Sequence, residues 1–162
     1  MTLREILFGK SAGRSLIRGL CAAVLLLAGS KFVLVPVRAH GISMLPTYQE
    51  GQLIFMNRLA YRFSPLKRGD VVAITLNGGG AVLVKRVIAL PGETVRIEAG
   101  QVFINGAPLS EPYRIYHMPW NMREGAVAAD EVFVIGDNRG MLLENHDFGF
   151  ARQDRILGRA IY

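Results

Sequence analysis

Cysteine is almost missing from this chain. Cys21 is the only one in 162 residues and lies in an apolar run near the start, so no intrachain disulfide can form and the domain that follows has no thiol for catalysis. Histidine is also scarce. His146 shares four loop residues with Glu144 and Asp147, but with no second histidine or cysteine group this spacing matches no metal site, and neither metal nor cofactor is expected. His40 lies three residues before Ser43 with no obvious carboxylate to orient it, which argues against a Ser-His-Asp arrangement. His117 reads as a loop residue. No repeat or low-complexity segment is present, which removes solenoids and disordered tails from consideration.

Acidic residues are few at the beginning. Up to Arg38 there are six basic residues and one acid, Glu5, so this end carries +5 of the formal +6 and leaves +1 for the rest. A basic end beside an apolar run, followed by a near-neutral domain, fits membrane orientation and not nucleic-acid binding, which needs a basic face on the folded part. Gly19 to Val37 is 19 residues, which as a helix at about 1.5 Å per residue nearly crosses a hydrocarbon core of about 30 Å. Lys31 lies near its outer end, where the ammonium can snorkel to the headgroups, and Pro36 is expected to end the helix. The sequence divides into a basic, cytoplasmic N-terminus (1–18), a transmembrane signal anchor (19–37) and an exported domain (38–162). A cleaved signal peptide is the rival, but the small-residue pattern near Val37-Arg38-Ala39 is poor, and both readings export the domain.

Long helical periodicity is absent after residue 38. Short apolar or alternating runs separated by turn residues predict a mainly β domain, with strands over Gln52 to Asn57, Asp70 to Leu76, Ala81 to Leu90, Thr94 to Glu98, Gln101 to Ile104 and Glu131 to Ile135. Val95, Ile97, Val102 and Ile104 alternate with polar neighbours around Ala99-Gly100, a hairpin signal, and Asn105-Gly106 marks a second turn. Asn77-Gly78-Gly79-Gly80 reads as a hairpin loop and not as a phosphate cradle, since strand and not helix follows it. Ser110 to Asp130 has no clear period and is expected to be a long excursion, in which Tyr113, Tyr116 and Trp120 either pack the loop down or mark a binding surface.

Two residues suggest chemistry. Ser43 follows the apolar segment closely, and Lys85 lies on an apolar strand, where desolvation lowers an amine's pKa and lets it take a proton from a serine hydroxyl. On that strand Arg86 must face the other way. Taken alone, Ser43 reads more readily as a turn or cap residue and Lys85 as a solvent-facing strand lysine.

Four ordered blocks carry a family resemblance: Ser43-Met44-Leu45-Pro46-Thr47, Arg68-Gly69-Asp70-Val71-Val72, Lys85 to Glu93, and Gly136-Asp137-Asn138-Arg139, with a closing Ile156-Leu157-Gly158-Arg159-Ala160. The chain resembles bacterial type I signal peptidases. The resemblance implies a mainly antiparallel β signal-peptidase-like domain behind one N-terminal transmembrane helix, held in a bacterial inner membrane with its catalytic domain on the extracytoplasmic face. It implies cleavage of signal peptides from exported preproteins, with the preprotein and the lipid bilayer as partners. Ser43 would be the nucleophile and Lys85 the general base. The Ser43 backbone N–H would help hold the oxyanion, with Gly41 standing where some members have a serine. Met44 would line the cleft or pack the core, and Pro46 and Thr47 would shape the turn. Arg86, Asp137, Asn138, Glu144 and His146 would support the site, with Asp137 and Asn138 fixing the loop behind Lys85.

One block departs from the family pattern. Leu142-Leu143-Glu144-Asn145-His146 stands where Ser-x-Asp-Ser-Arg is usual, so Leu142 replaces a hydroxyl expected to bond the lysine. Glu144 is then expected to keep the acidic role with His146 as its partner, making activity pH-sensitive near neutrality. The alternatives are a non-catalytic envelope assembly partner of the same fold, a peptidase dedicated to one secretion or conjugation system, and a Ser/Lys self-cleaving repressor. The first is expected to lose Ser43 or Lys85, and the last to carry a helix-turn-helix.

Overall fold

The computed structural model describes residues 12–76, 82–114, 118–147 and 149–161. Helix α1 (Ala12–Val33) leads directly into β1 (Leu34–Arg38), so the helix starts earlier and ends sooner than the expected 19–37 span. Pro36 does not terminate the helix as its last residue. It sits inside β1, where it pairs with Phe55. Proline disfavours the α conformation in the residue before it, so the chain turns extended ahead of it, and the edge position of β1 tolerates the missing N–H. Among the described residues no helix is long and apolar enough to cross a membrane.

The remaining elements are β2 (Leu53–Asn57), the single turn α2 (Ala60–Phe63), β3 (Val71–Thr75), β4 (Val82–Ala89), β5 (Thr94–Glu98), β6 (Gln101–Ile104), β7 (Ala107–Pro108), β8 (Met122–Ala126), β9 (Glu131–Ile135), β10 (Gly149–Arg152) and β11 (Ile156–Ala160). They form a seven-stranded sheet in the order β1-β2-β11-β3-β4-β9-β10 and a four-stranded sheet in the order β7-β6-β5-β8. Every pairing among the described residues is antiparallel. The mainly β expectation is met, with every expected strand present to within a residue or two.

The β5–β6 hairpin turns where the sequence indicates. Ala99 and Gly100 both have positive φ, as a two-residue primed turn requires, and Asn105 and Gly106 repeat the device before β7. A Cβ at Gly100 would lie 2.5 Å from the Met118 carbonyl oxygen, so the glycine also makes room for the chain crossing over it. The alternating Val95, Ile97, Val102 and Ile104 are buried against Ile88, Phe133, Ile135 and Trp120, which joins the two sheets through one core. A second core packs Met44 and Tyr48 against Ile54, Met56, Val71 and Val84, and a third gathers Val72, Ile74, Val87, Val132 and Val134.

The Ser110 to Asp130 stretch is not wholly irregular, since β8 lies within it and pairs with β5. Trp120 is buried in the core there. The Asn77 to Gly80 loop, Tyr116 and His117 lie outside the described residues. The strands flanking that loop do pair, with Thr75 opposite Val82.

Candidate functional site

Ser43 lies in a compact turn between β1 and β2. Gly41 enters it with φ 81°, a conformation that favours glycine, and the turn is closed by Leu45 N–H to Ile42 O (3.2 Å) and Tyr48 N–H to Met44 O (3.0 Å). Met44 and Tyr48 anchor it by burying their side chains, so Met44 is a core residue that also touches the cavity beside Ser43. This cavity of ≈ 20 Å³ is lined by Ala39, His40, Gly41, Ser43, Met44 and Val82 to Val84 of β4. Pro46 is exposed at the turn's outer side.

Lys85 lies at the centre of β4, opposite Val72, and is only 2% exposed. Burial pulls its amine down to about 8, and the Asp147 carboxylate acts in the opposite direction. Lys85 and Asp147 line a second cavity of ≈ 420 Å³ with Ile74, Leu83 and Val134. Arg86 alternates to the other face, as strand geometry requires. There its Nε and Nη2 donate to the two oxygens of buried Asp137 at 2.8 and 2.6 Å, and its Nη1 donates to Gly69 O at 2.7 Å. The Tyr113 ring covers the guanidinium at 4.1 Å.

The chain after β9 ties these parts together. Ile135 pairs with Arg86, so Gly136 leaves the sheet beside Lys85. A Cβ there would fall far inside contact distance of the Ser43 carbonyl oxygen and 2.9 Å from the His146 ring. Only glycine lets the three segments meet. Asn138 then clamps the Ser43 turn, its N–H donating to Ser43 O (2.9 Å) and its Nδ2 to Ile42 O (3.0 Å). Asp137 also accepts a 2.5 Å hydrogen bond from Thr47 Oγ1. The expectation that Asp137 and Asn138 fix the loop behind Lys85 is therefore corrected. Both hold the Ser43 turn, and Asp137 links it through Arg86 to the strand that carries Lys85.

The 142–147 segment also differs from expectation. Leu142 and Glu144 line an outer cleft with Pro119 and Trp120, and among the described residues Glu144 forms no ion pair. His146 turns inward, buried edge-to-face on Trp120 with ring centroids 4.9 Å apart. Burial first, then the positive charges of Lys85 and Arg139, lower its pKa to about 3. It stays neutral across the physiological range, so the expected Glu144–His146 pair and its switch near neutrality are not formed. The sequence favours the outward reading because a charged partner looks available, whereas the aromatic shelf of Trp120 offers the neutral ring a better place.

Three contributors escaped sequence reasoning. Glu111, in the long excursion, accepts from buried Arg139 at 2.5 Å and from Tyr113 Oη at 2.9 Å. Arg139 in turn donates from Nε to Gly136 O at 3.0 Å, bracing the glycine turn. Asp147 is the carboxylate that acts on Lys85. Only its place at the end of the motif block hints at this. His40 does have a carboxylate, Glu50 at 3.7 Å, but both side chains are more than half exposed and the pair is screened by water. No three His, Cys, Asp or Glu side chains gather as a metal site among the described residues.

Comparison with known proteins supplies the family context. The family described as "Signal peptidase, peptidase S26" matches residues 13–162. The chain is 36% identical over 149 residues to the probable signal peptidase I-1 of Synechocystis sp. (strain ATCC 27184 / PCC 6803 / Kazusa), covering 87% of this chain and 76% of that protein. It is 31% identical over 155 residues to signal peptidase I V of Bacillus subtilis (strain 168), covering 86% and 91%. A crystal structure of a signal peptidase I from Enterococcus faecalis V583 superposes with a TM-score of 0.47 at 30% identity, covering 59% of this chain and 97% of that one.

Proposed function

Because the chain belongs to the signal peptidase, peptidase S26, family and is a serine endopeptidase, we propose that it cleaves N-terminal signal peptides from exported preproteins at a membrane surface, with Ser43 as nucleophile and Lys85 as general base. The observation that carries this reading is a lysine buried in the sheet, its amine lowered to about 8, on a strand whose Val82, Leu83 and Val84 line one cavity with Ser43.

A serine hydroxyl needs its proton removed as it attacks. Near pH 8 about half of Lys85 is neutral, and this form can take the Ser43 proton, return it to the leaving amine and then activate the water that hydrolyses the acyl-enzyme. With Gly41 offering no hydroxyl, backbone donors including the Ser43 N–H stabilise the oxyanion. The register between β4 and β9 begins at Arg86, so Val82 to Lys85 have no β9 partner among the described residues. An extended peptide can add there as a strand, between β4 and the Ala39 to Gly41 segment. The ≈ 20 Å³ cavity beside Ser43 has room for a group about the size of one water or methyl, which favours small side chains near the cut.

Attachment to the membrane is assigned to α1. Its cations Arg14, Arg18 and Lys31 stand within about two turns of the ends, and Leu16, Ile17, Leu20 and Val24 are exposed along it. Long cationic side chains near helix ends reach the headgroups. By the positive-inside rule, Arg4, Lys10, Arg14 and Arg18 before the apolar run support a cytoplasmic N-terminus, with the β domain on the outer face of a bacterial inner membrane.

The test is cleavage of a preprotein in detergent or liposomes by the unmodified chain, Ser43→Ala and Lys85→Met. Each substitution is expected to lower kcat/KM by about a thousandfold or more. An inert but folded unmodified chain, or a fully active Ser43→Ala, would end this reading.

A further inference from the structure

The stretch from Gly51 to Gly69 contains Arg58, Arg62, Lys67 and Arg68 and no acidic residue. Arg68 is occupied by Glu93 at 2.6 Å, whereas among the described residues Arg58 and Arg62 form no ion pair. Both line a cleft of ≈ 490 Å³ whose other walls include Ser64, Leu66 and Leu90. Beside it Phe63, on the single turn α2, is 84% exposed. Two uncommitted guanidiniums at the rim of a partly apolar cleft, with an exposed aromatic side chain next to them, match the chemistry of a membrane interface: cations for phosphate and a ring for the headgroup boundary.

The location of this cleft points the same way. The Arg58 N–H donates to the carbonyl of Val33, the last residue of α1, at 2.9 Å, and β1 carries Leu34 opposite Asn57. The cleft is therefore fastened to the end of the helix assigned as the membrane attachment. An acidic soluble partner would satisfy the two arginines but would not account for the exposed Phe63 at the helix exit.

We propose that Arg58 and Arg62 bind the phosphate of an anionic phospholipid while Phe63 inserts beside it, giving the β domain a second hold on the bilayer next to the end of α1. This rests on the reading of α1 as the membrane attachment. A single cation near an anionic surface strengthens partitioning roughly fivefold, so the pair matters even in a chain that is already tethered.

The test uses the full chain carrying Phe63→Trp, reconstituted in vesicles of neutral lipid or of about one-third phosphatidylglycerol, with lipids brominated near the headgroup as quenchers. Trp120 is buried and gives the unquenched background. Trp fluorescence at position 63 is expected to be quenched at least twofold more in the anionic vesicles, and Arg58→Glu with Arg62→Glu should remove that excess. Cleavage of a soluble peptide in detergent should be unchanged in the double variant, which shows that it folds. Equal quenching in both lipids, no quenching, or quenching that survives the charge reversal overturns the proposal. Vesicle flotation separates the two levels of the account. A chain that floats without the anionic-lipid excess refutes the headgroup site alone, and one that fails to float refutes the α1 attachment and this proposal together.

Discussion

The Ser43 turn and the Lys85 strand are held by different physics. The turn is fixed by directed bonds: two from Asn138, one from Thr47 to Asp137, and the fork between Asp137 and Arg86. Among the described residues the Lys85 ammonium makes no hydrogen bond or ion pair, and its pKa is set first by burial and only then by the charge of Asp147. In the proposed dyad, Ser43 is placed by geometry and Lys85 is tuned by solvation. On the proposed roles, Leu142 in place of the family's usual hydroxyl is expected to leave the desolvation that lowers Lys85 intact.

This contrast can be broken most severely at the point where the two regions meet. Gly136→Ala must push the Ser43 carbonyl and the His146 ring away together, and is expected to destabilise the fold by about 3 kcal/mol or more, measured by denaturant unfolding. A variant of near-native stability would show that the junction is looser than described. Next in size is Asn138→Ala, which frees the Ile42 and Ser43 carbonyls. It should lower kcat about tenfold or more while leaving the pH dependence of kcat/KM where it was, because the lysine's surroundings are untouched. A displaced pH profile would mean that the clamp also tunes the base.

The smallest effect sharpens the other side. Asp147→Asn removes the charge that favours the ammonium, so desolvation acts unopposed and the Lys85 pKa falls further. The acid limb of the pH–rate profile should move to lower pH, by up to about one unit, with little change in stability. The other charged groups lining that cavity, Glu131, Arg152 and Arg155, remain in place, and His146 is neutral throughout. An unmoved limb would remove Asp147 from the account, and a limb moved upward would reverse its sign.

Much of this was legible in the residues, and unevenly so. Strands with buried alternating or continuous apolar residues, such as β4 and the β5–β6 hairpin, stood out because burial imposes a pattern. The strand β8, Met-Arg-Glu-Gly-Ala, did not, since it is mostly exposed and owes its form to pairing with β5. The strand β1 was concealed for the opposite reason, its Leu-Val-Pro-Val continuing the apolar run of α1 without a break. In the candidate site, Ser43 and Lys85 could be named because ordered motif blocks carry them, and the opposite facing of Arg86 because strand alternation requires it. The roles of Glu111, Asp147 and the inward His146 depend on which loops meet in space, and spacing along one chain does not encode that.

The central claim is that a lysine lowered by burial serves as the base for Ser43. The pH dependence of kcat/KM for preprotein cleavage tests it most directly. Only the neutral amine accepts the proton, so the rate should rise with pH through a single ionisation near 8 and level off above it. A profile already flat between about pH 6 and 10, or one still rising past the ordinary lysine value of about 10.4, would contradict the account.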